Sequence, residues 1–110
     1  MIEILLSQEF SKEFANIQKR AEIGQGEAQY LLKLIEKGIA KLVENHKAGQ
    51  KIQKNLWPKY YIQKYGISNL CRLRLDDFWR MVYTVTGEQV RIVAVILEVL
   101  DHKEYDKVRI

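Results

Sequence analysis

The chain has 110 residues, of which 47% are hydrophobic and 29% charged, and its formal net charge is +4; this size predicts a single domain, residues 1–110, with one core. Charged residues interrupt the longest apolar run, and the N terminus lacks the basic start and small-residue cleavage site of a signal peptide, so we expect a cytoplasmic protein without membrane association. The single cysteine excludes an internal disulfide, and the two histidines are too far apart in the sequence to suggest a cluster of metal ligands. Neither a metal nor another cofactor is therefore predicted.

The first half of the chain predicts a strand followed by two amphipathic helices. Residues 2–7, IEILLS, form a short apolar strand, and Ser7 is suited to cap the first helix. Two glycines in IGQGE, residues 23–27, predict a tight turn before a second helix over residues 27–46. The faces predicted to be buried consist of Phe10, Phe14, Ile17 and Ala21 in the first helix and of Ala28, Leu31, Leu32, Ile35, Ile39 and Leu42 in the second.

A basic connector with one short turn of helix is predicted between residues 48 and 68. Gly49 is a candidate stop for the second helix, and Pro58 keeps Trp57 extended. Aromatic rings alternate with lysines here, a combination that suits phosphates and unpaired bases. A solvated lysine-rich loop is the alternative interpretation. The residues of this segment predicted to bind nucleic-acid phosphates are Lys51, Lys54, Lys59 and Lys64.

Three strands are predicted in the second half of the chain, over residues 70–75, 80–86 and 89–99. Short loops between them favour an antiparallel meander. Two N-terminal helices that cover such a sheet make an α+β fold, in which one helical layer packs on a small, mainly antiparallel sheet.

The hairpin between the last two strands sets the register of their side chains. TGEQ, residues 86–89, places Gly87 first in a two-residue turn, which pairs Thr84 with Arg91. In this register Arg91 lies on the same face as Arg80.

Side-chain alternation predicts a cluster of four arginines on one face of the sheet. A turn at DDFW that brings Arg74 near Arg80 also places Arg72 on that face, together with Arg91. Like charges on neighbouring strands repel, whereas the planar guanidinium group binds phosphate strongly, so the cluster predicts an anionic ligand. The alternative is ion pairing of the first two arginines with nearby carboxylates, namely Asp76, Asp77 or Glu98.

The C-terminal DHKEYDKV, residues 101–108, predicts a short helical turn. This turn would place His102 and Tyr105 on one face, with Asp106 beside the histidine. Histidine titrates near neutral pH and tyrosine can donate or orient a proton, so the pair suits general acid–base work beside a bound phosphate. A capping histidine and a packed tyrosine are the alternative.

The order of these elements resembles the RelE/ParE superfamily of type II toxins over nearly the whole chain. The resemblance is most specific in the segment LCRLRLDDFWRMVYTVTGEQVRIVAVILEVLDHKEYDKV. In the ribonuclease branch of that superfamily, the toxin enters the ribosomal A site, and the 2′-hydroxyl of the mRNA attacks the adjacent phosphate. Because arginine does not release its proton, the resemblance makes His102 the expected proton carrier. It implies that the catalytic residues are Arg72, Arg74, Arg80, His102 and Tyr105, and it adds Arg91 and Lys103 to the residues that bind RNA or the ribosome.

The resemblance therefore implies a toxin of a type II toxin–antitoxin system that acts as a ribosome-dependent mRNA endoribonuclease and blocks translation. Its expected partners are a cognate antitoxin protein, the ribosome and mRNA. Gyrase-directed ParE-type members share the fold without the nuclease residues, so an inhibitor of DNA gyrase is the main alternative. A catalytically inactive nucleic-acid-binding relative and a small scaffold with incidental charge are two further alternatives.

Overall fold

The backbone forms a five-stranded mixed sheet with helices on both faces. The computed structural model describes residues 2–88 and 91–101. In chain order the elements are β1 (Ile2–Leu6), α1 (Gln8–Glu22), α2 (Gly26–Glu44), β2 (Gln50–Lys51), a 3₁₀ turn (Lys54–Leu56), α3 (Lys59–Tyr65), β3 (Cys71–Arg74), β4 (Arg80–Glu88) and β5 (Arg91–Leu100).

The strands follow the order β1-β5-β4-β3-β2 across the sheet. β1 runs parallel to β5, and the other neighbouring strands are antiparallel. The predicted α+β fold, with two N-terminal helices on a mainly antiparallel sheet, is confirmed. The predicted C-terminal helical turn falls on residues outside the described part of the chain. Among the described helices, none has the length and apolar character needed to cross a membrane.

α1 and α2 pack their predicted apolar faces against one side of the sheet. Ser7 caps α1: its Oγ accepts the Phe10 N–H at 3.0 Å and donates to the Leu97 carbonyl oxygen at 2.7 Å. The cap therefore also ties the start of the helix to β5. The buried residues of this first core are Phe10, Ile17, Ala21, Ala28, Leu31, Ile35, Leu42, Cys71, Leu73, Met81, Tyr83, Ile96 and Val99, with Phe14, Leu32 and Ile39 partly buried around them.

The connector is more ordered than predicted because it covers the opposite face of the sheet. Tyr61 on α3 is fully buried, and Trp57 Nε1 donates to the Ile52 carbonyl oxygen at 2.8 Å. Aromatic rings that the sequence suggested for base stacking are thus largely structural. The sheet carries an apolar cluster on each face instead of the single core that was predicted, and the second consists of Ile52, Tyr61, Leu70, Val82, Leu97 and Leu100.

The register of the β4–β5 hairpin differs from the prediction. Glu88 pairs with Arg91, and Thr84 pairs with Val95 instead of Arg91. Gly87 has a positive φ of 114°, but it lies inside the ladder and not at the start of the turn. The strands therefore extend further before the chain reverses.

Backbone hydrogen bonding explains the observed register. In the predicted register Arg80 would pair with Val95, and residues 96–100 would extend past the end of β4. In the observed register Arg80 pairs with Leu100, so this end of β5 has a neighbouring strand. Buried strands require such partners because an unpaired backbone group away from water is costly.

Gly49 lies in a tight contact between the connector and the sheet. α2 ends at Glu44 with Asn45 as its C-cap, so the predicted helix stop at Gly49 is wrong. The Gly49 N–H donates to Tyr83 Oη at 3.0 Å. A Cβ at this position would lie within 3.0 Å of that oxygen and of the Arg72 carbonyl oxygen. The missing side chain is what allows the connector to approach β3.

Replacement of Tyr61 should show that the connector is part of the folded core. We expect Tyr61→Ala to lower the free energy of unfolding by about 3–5 kcal/mol, the usual cost of deleting a large buried aromatic ring. The neighbouring Tyr60 is a matched control because 42% of it is exposed, so Tyr60→Ala should cost much less. Urea unfolding measures both variants. Equal, small losses would contradict a second core.

Candidate anion-binding cleft

Three of the predicted arginines meet at one end of β3 and β4. Arg74 pairs directly with Arg80 across the two strands, and Arg72 pairs with Val82. Leu73, between the two arginines of β3, is buried in the core with α1 and α2. Alternation therefore places all three arginines on the opposite face, as the sequence predicted.

A cleft of about 560 Å³ opens beside these arginines. Lys41, in the last turn of α2, also lines it. Among the described residues that line the cleft, none is acidic, and the remaining walls come from Ala48, Gly49, Gln50 and Leu73. The space is therefore surrounded by four cationic side chains, namely Lys41, Arg72, Arg74 and Arg80.

All three arginines donate hydrogen bonds to uncharged groups, the longest being that from Arg74 Nε to the Asp76 carbonyl oxygen at 3.4 Å. Arg72 Nη2 donates to Gln50 Oε1 at 3.0 Å, and Gln50 is the residue opposite Arg72 in the β2–β3 register. Arg80 Nη1 donates to the carbonyl oxygen of Asp76 at 2.7 Å and to that of Trp79 at 3.1 Å. These contacts orient the guanidinium groups of Arg72 and Arg80.

The ion pair proposed as an alternative role for the arginines forms at Arg74. Its guanidinium group contacts the Asp77 carboxylate in the loop after β3. Both side chains are largely exposed, 64% for Arg74 and 94% for Asp77. Exposed pairs of this kind contribute at most about 1 kcal/mol, so a stronger anion can replace the carboxylate.

A network centred on Asp76 shapes the turn between β3 and β4. Asp76 Oδ1 accepts the N–H groups of Phe78 at 2.8 Å and Trp79 at 2.7 Å. Asp76 Oδ2 accepts the hydroxyl proton of Tyr30 at 2.6 Å. The Leu75 N–H donates to the Trp79 carbonyl oxygen at 3.0 Å and closes the turn. Because Tyr30 belongs to α2, the network also fixes the turn to the helical layer.

The same network keeps Asp76 negatively charged. Burial alone would raise its pKa, but the hydrogen bonds from Tyr30, Trp79 and Phe78 and the charge of Arg80 outweigh burial and hold the pKa of Asp76 below its usual range. The hydrogen bond to this carboxylate raises the pKa of Tyr30, which therefore keeps its proton. The network consequently has one stable protonation state at neutral pH.

The predicted RNA-binding lysines of the connector do not line the cleft. Lys64 forms an ion pair with Glu9 at 3.5 Å, and Lys51 borders a separate cavity. Lys54 begins the 3₁₀ turn and Lys59 begins α3, and both are exposed. Their role in binding RNA or the ribosome stays a prediction for a surface apart from the arginine cluster.

Arg91 does not join the other arginines. Its backbone pairs with Glu88, at the opposite end of β4 from Arg80, and an extended strand covers roughly 26 Å over that interval. The predicted convergence of four arginines is therefore wrong, because the hairpin turns later than TGEQ suggested. Three further predicted site residues lie outside the described part of the chain, namely His102, Lys103 and Tyr105.

Two groups that line the separate cavity bordered by Lys51 are kept protonated. Burial raises the pKa of Tyr83 to about 12, and its hydroxyl donates to the His46 carbonyl oxygen at 3.3 Å. Burial also raises the pKa of the Cys71 thiol, which is therefore a poor nucleophile. Neither Tyr83 nor Cys71 therefore supplies a reactive hydroxyl or thiol at neutral pH.

The fold and the cleft define a small α+β protein that carries a cluster of positive charges at one end of its sheet. A family model described as the ParE toxin of the type II toxin-antitoxin system, parDE, matches residues 4–104. The chain therefore belongs to this toxin family, within the RelE/ParE superfamily, and the family implies a cognate antitoxin. Neither the curated proteins nor the solved structures contained a match.

The contribution of Asp76 to stability should depend on pH. Because its pKa is lower in the folded chain than in the unfolded chain, the contribution is complete above the unfolded value, about 4, and is lost as the pH falls through the folded value. We expect Asp76→Asn to destabilise the protein at neutral pH, and the difference from the wild type to shrink below about pH 4. Denaturant unfolding at several pH values measures this difference.

Asp77→Asn is the matched control for this measurement, since it removes the adjacent carboxylate, which is 94% exposed. This variant should differ little from the wild type at any pH. A destabilisation by Asp76→Asn that is the same at low and neutral pH would contradict the role given to the ionised carboxylate.

Proposed function

We propose that the cleft binds a phosphodiester group of mRNA and that the protein is a ribosome-dependent endoribonuclease toxin that blocks translation. The observation that carries this proposal is the convergence of Lys41, Arg72, Arg74 and Arg80 on one cleft with no acidic residue among its described lining. Arginine binds phosphate through two parallel N–H donors and stays charged at any physiological pH. The family match supports the toxin class to which this activity belongs.

The chemistry requires no cofactor. The 2′-oxygen of one nucleotide attacks the adjacent phosphorus, the bond from phosphorus to the 5′-oxygen breaks, and a 2′,3′-cyclic phosphate forms. One proton leaves the attacking hydroxyl, and another reaches the departing 5′-oxygen. His102 and Tyr105 are the residues that the sequence predicts for these proton transfers.

The cationic side chains of the cleft would stabilise the charge that develops during this reaction. The pentacoordinate phosphorus intermediate carries more negative charge on its oxygens than the starting diester does. Donors that are already oriented stabilise such charge most effectively, because they need not reorganise during the reaction. Arg80 fits this role best, since two carbonyl oxygens fix its Nη1.

The antitoxin provides a second ligand for the same charges. A toxin of this kind must be silenced in its own cell, and a segment with acidic side chains laid over the cleft would block substrate and satisfy the arginines together. An amphipathic helix with such a segment would also bury apolar surface on the toxin.

Inhibition of DNA gyrase is a second candidate function. The family model is described as a ParE toxin, and ParE-type members of the superfamily act on gyrase without nuclease residues. In that case the cleft would bind acidic side chains or DNA phosphate and would need no proton carrier. Cleavage of mRNA on programmed ribosomes supports the first function, and loss of supercoiling without RNA cleavage supports the second.

Removal of Arg80 tests the proposed chemistry. We expect Arg80→Ala to slow single-turnover mRNA cleavage on programmed ribosomes by about 100-fold or more, since one lost transition-state donor typically costs about 3 kcal/mol. Lys12→Ala is the charge-matched control, because Lys12 lies on α1 and outside the cleft; it should keep the wild-type rate. An Arg80→Ala variant that cleaves at the wild-type rate would contradict the catalytic role.

Lys41 should contribute binding and not chemistry. Each phosphate contact releases about one counterion, so Lys41→Ala should weaken ribosome or RNA binding and lower the slope of log K against log salt by about one. Lys33→Ala removes the same charge from the same helix, outside the cleft, and should leave the slope unchanged. Filter-binding titrations at several salt concentrations give both slopes. Equal slopes for Lys41→Ala and the wild type would remove Lys41 from the site.

A further inference from the structure

We propose that Asp76 is a positioning residue for Arg80, and that its bond to Tyr30 transmits the position of α2 to the cleft. This inference rests on the proposed endoribonuclease function. It assigns a role to a residue that does not itself line the described cleft.

The contacts of Asp76 connect three parts of the molecule. Its carboxylate closes the β3–β4 turn through the N–H groups of Phe78 and Trp79. The same carboxylate binds Tyr30 on α2. Its carbonyl oxygen accepts Arg80 Nη1 at 2.7 Å. The helical layer, the turn and the guanidinium group are thus joined through a single residue.

The geometry of the turn determines where the Arg80 guanidinium group can lie. The two carbonyl oxygens that accept Arg80 Nη1 belong to Asp76 and Trp79. These residues lie at the two ends of the turn that the Asp76 carboxylate closes through the N–H groups of Phe78 and Trp79. If the turn opens, both acceptors move together and the guanidinium group loses its orientation. A displacement of about 1 Å at a catalytic group can reduce a rate by 100-fold.

Electrostatics favours the same arrangement. The negative charge of Asp76 interacts with Arg80 without direct contact between carboxylate and guanidinium. This attraction draws Arg80 toward the turn, and the same side chain lines the cleft. A direct ion pair would compete with the substrate, as the exposed pair of Arg74 and Asp77 must do.

Kinetics in two backgrounds tests the proposal. In the full-length protein, Asp76→Ala should lower kcat for mRNA cleavage by about 10- to 100-fold with little change in KM. Asp76→Asn should recover part of this loss, because the amide oxygen can still accept the two N–H groups of the turn. In the Arg80→Ala background, Asp76→Ala should cause no further loss. A multiplicative loss in that background would overturn the proposal, since it would show a role independent of Arg80.

A spectroscopic measurement keeps the test valid if Asp76→Ala is poorly folded or the protein does not cleave RNA. NMR of the arginine Nε–H and Nη–H groups reports how freely each guanidinium group rotates. Asp76→Asn and Tyr30→Phe should increase the rotation rate at Arg80 and leave Arg72, which is held by Gln50, unchanged. Unchanged rotation at Arg80 in both variants would overturn the positioning role, whereas absent RNA cleavage by the wild type would overturn only the proposed function.

Asp77→Asn is the matched control for charge and location. It removes a carboxylate from the adjacent position of the same loop, one that contacts Arg74 and is 94% exposed. Arg80 rotation should stay as in the wild type in this variant. An Arg80 that responds equally to Asp77→Asn and Asp76→Asn would indicate a general effect of loop charge and contradict the specific role of Asp76.

Discussion

The pairing of Arg74 with Arg80 across β3 and β4 places two like charges at the same point of the sheet, and much of the neighbouring structure follows from this constraint. Facing cations on adjacent strands are unfavourable by a few tenths of a kcal/mol or more. The protein accommodates them with backbone carbonyl oxygens at Arg80 and one exposed carboxylate at Arg74. Neither solution removes the charge from the cleft. An incoming anion therefore finds an unfavourable arrangement that it can relieve.

Fixed charge also determines how such a site can be controlled. Arginine keeps its proton at every physiological pH, so acidification or a change in local pKa cannot switch the cleft off. The neighbouring Tyr83 and Cys71 also stay protonated at neutral pH. A molecule that covers the arginines would control their charge without a change in protonation. This mode of control agrees with a family in which each toxin has a cognate antitoxin.

The parts of the structure that the sequence predicted are those governed by local periodicity. Alternation in CRLR placed Arg72 and Arg74 on one face, and the Ser7 cap began α1 where expected. Contacts between distant segments were not predictable in the same way. Lys41 joins the cleft only because α2 ends beside the connector, and no local pattern distinguishes it from the other lysines of that helix. Tyr61 lies in a segment whose composition is typical of a nucleic-acid-binding surface, but the residue is buried against the sheet. A basic segment rich in aromatic residues has the same sequence pattern whether its rings contact bases or a sheet.

The parallel pairing of β1 with β5 has a consequence for the time at which the toxin can become active. Among the described strands, β1 is synthesised first and pairs with β5, which is synthesised last. Until β5 emerges, α1 and α2 have no complete sheet to pack against, and the strands that carry the arginines lack the support of β5 next to β4. Pairing between such distant segments also slows folding. A nascent chain with this topology therefore completes its charged cleft only after β5 has been synthesised.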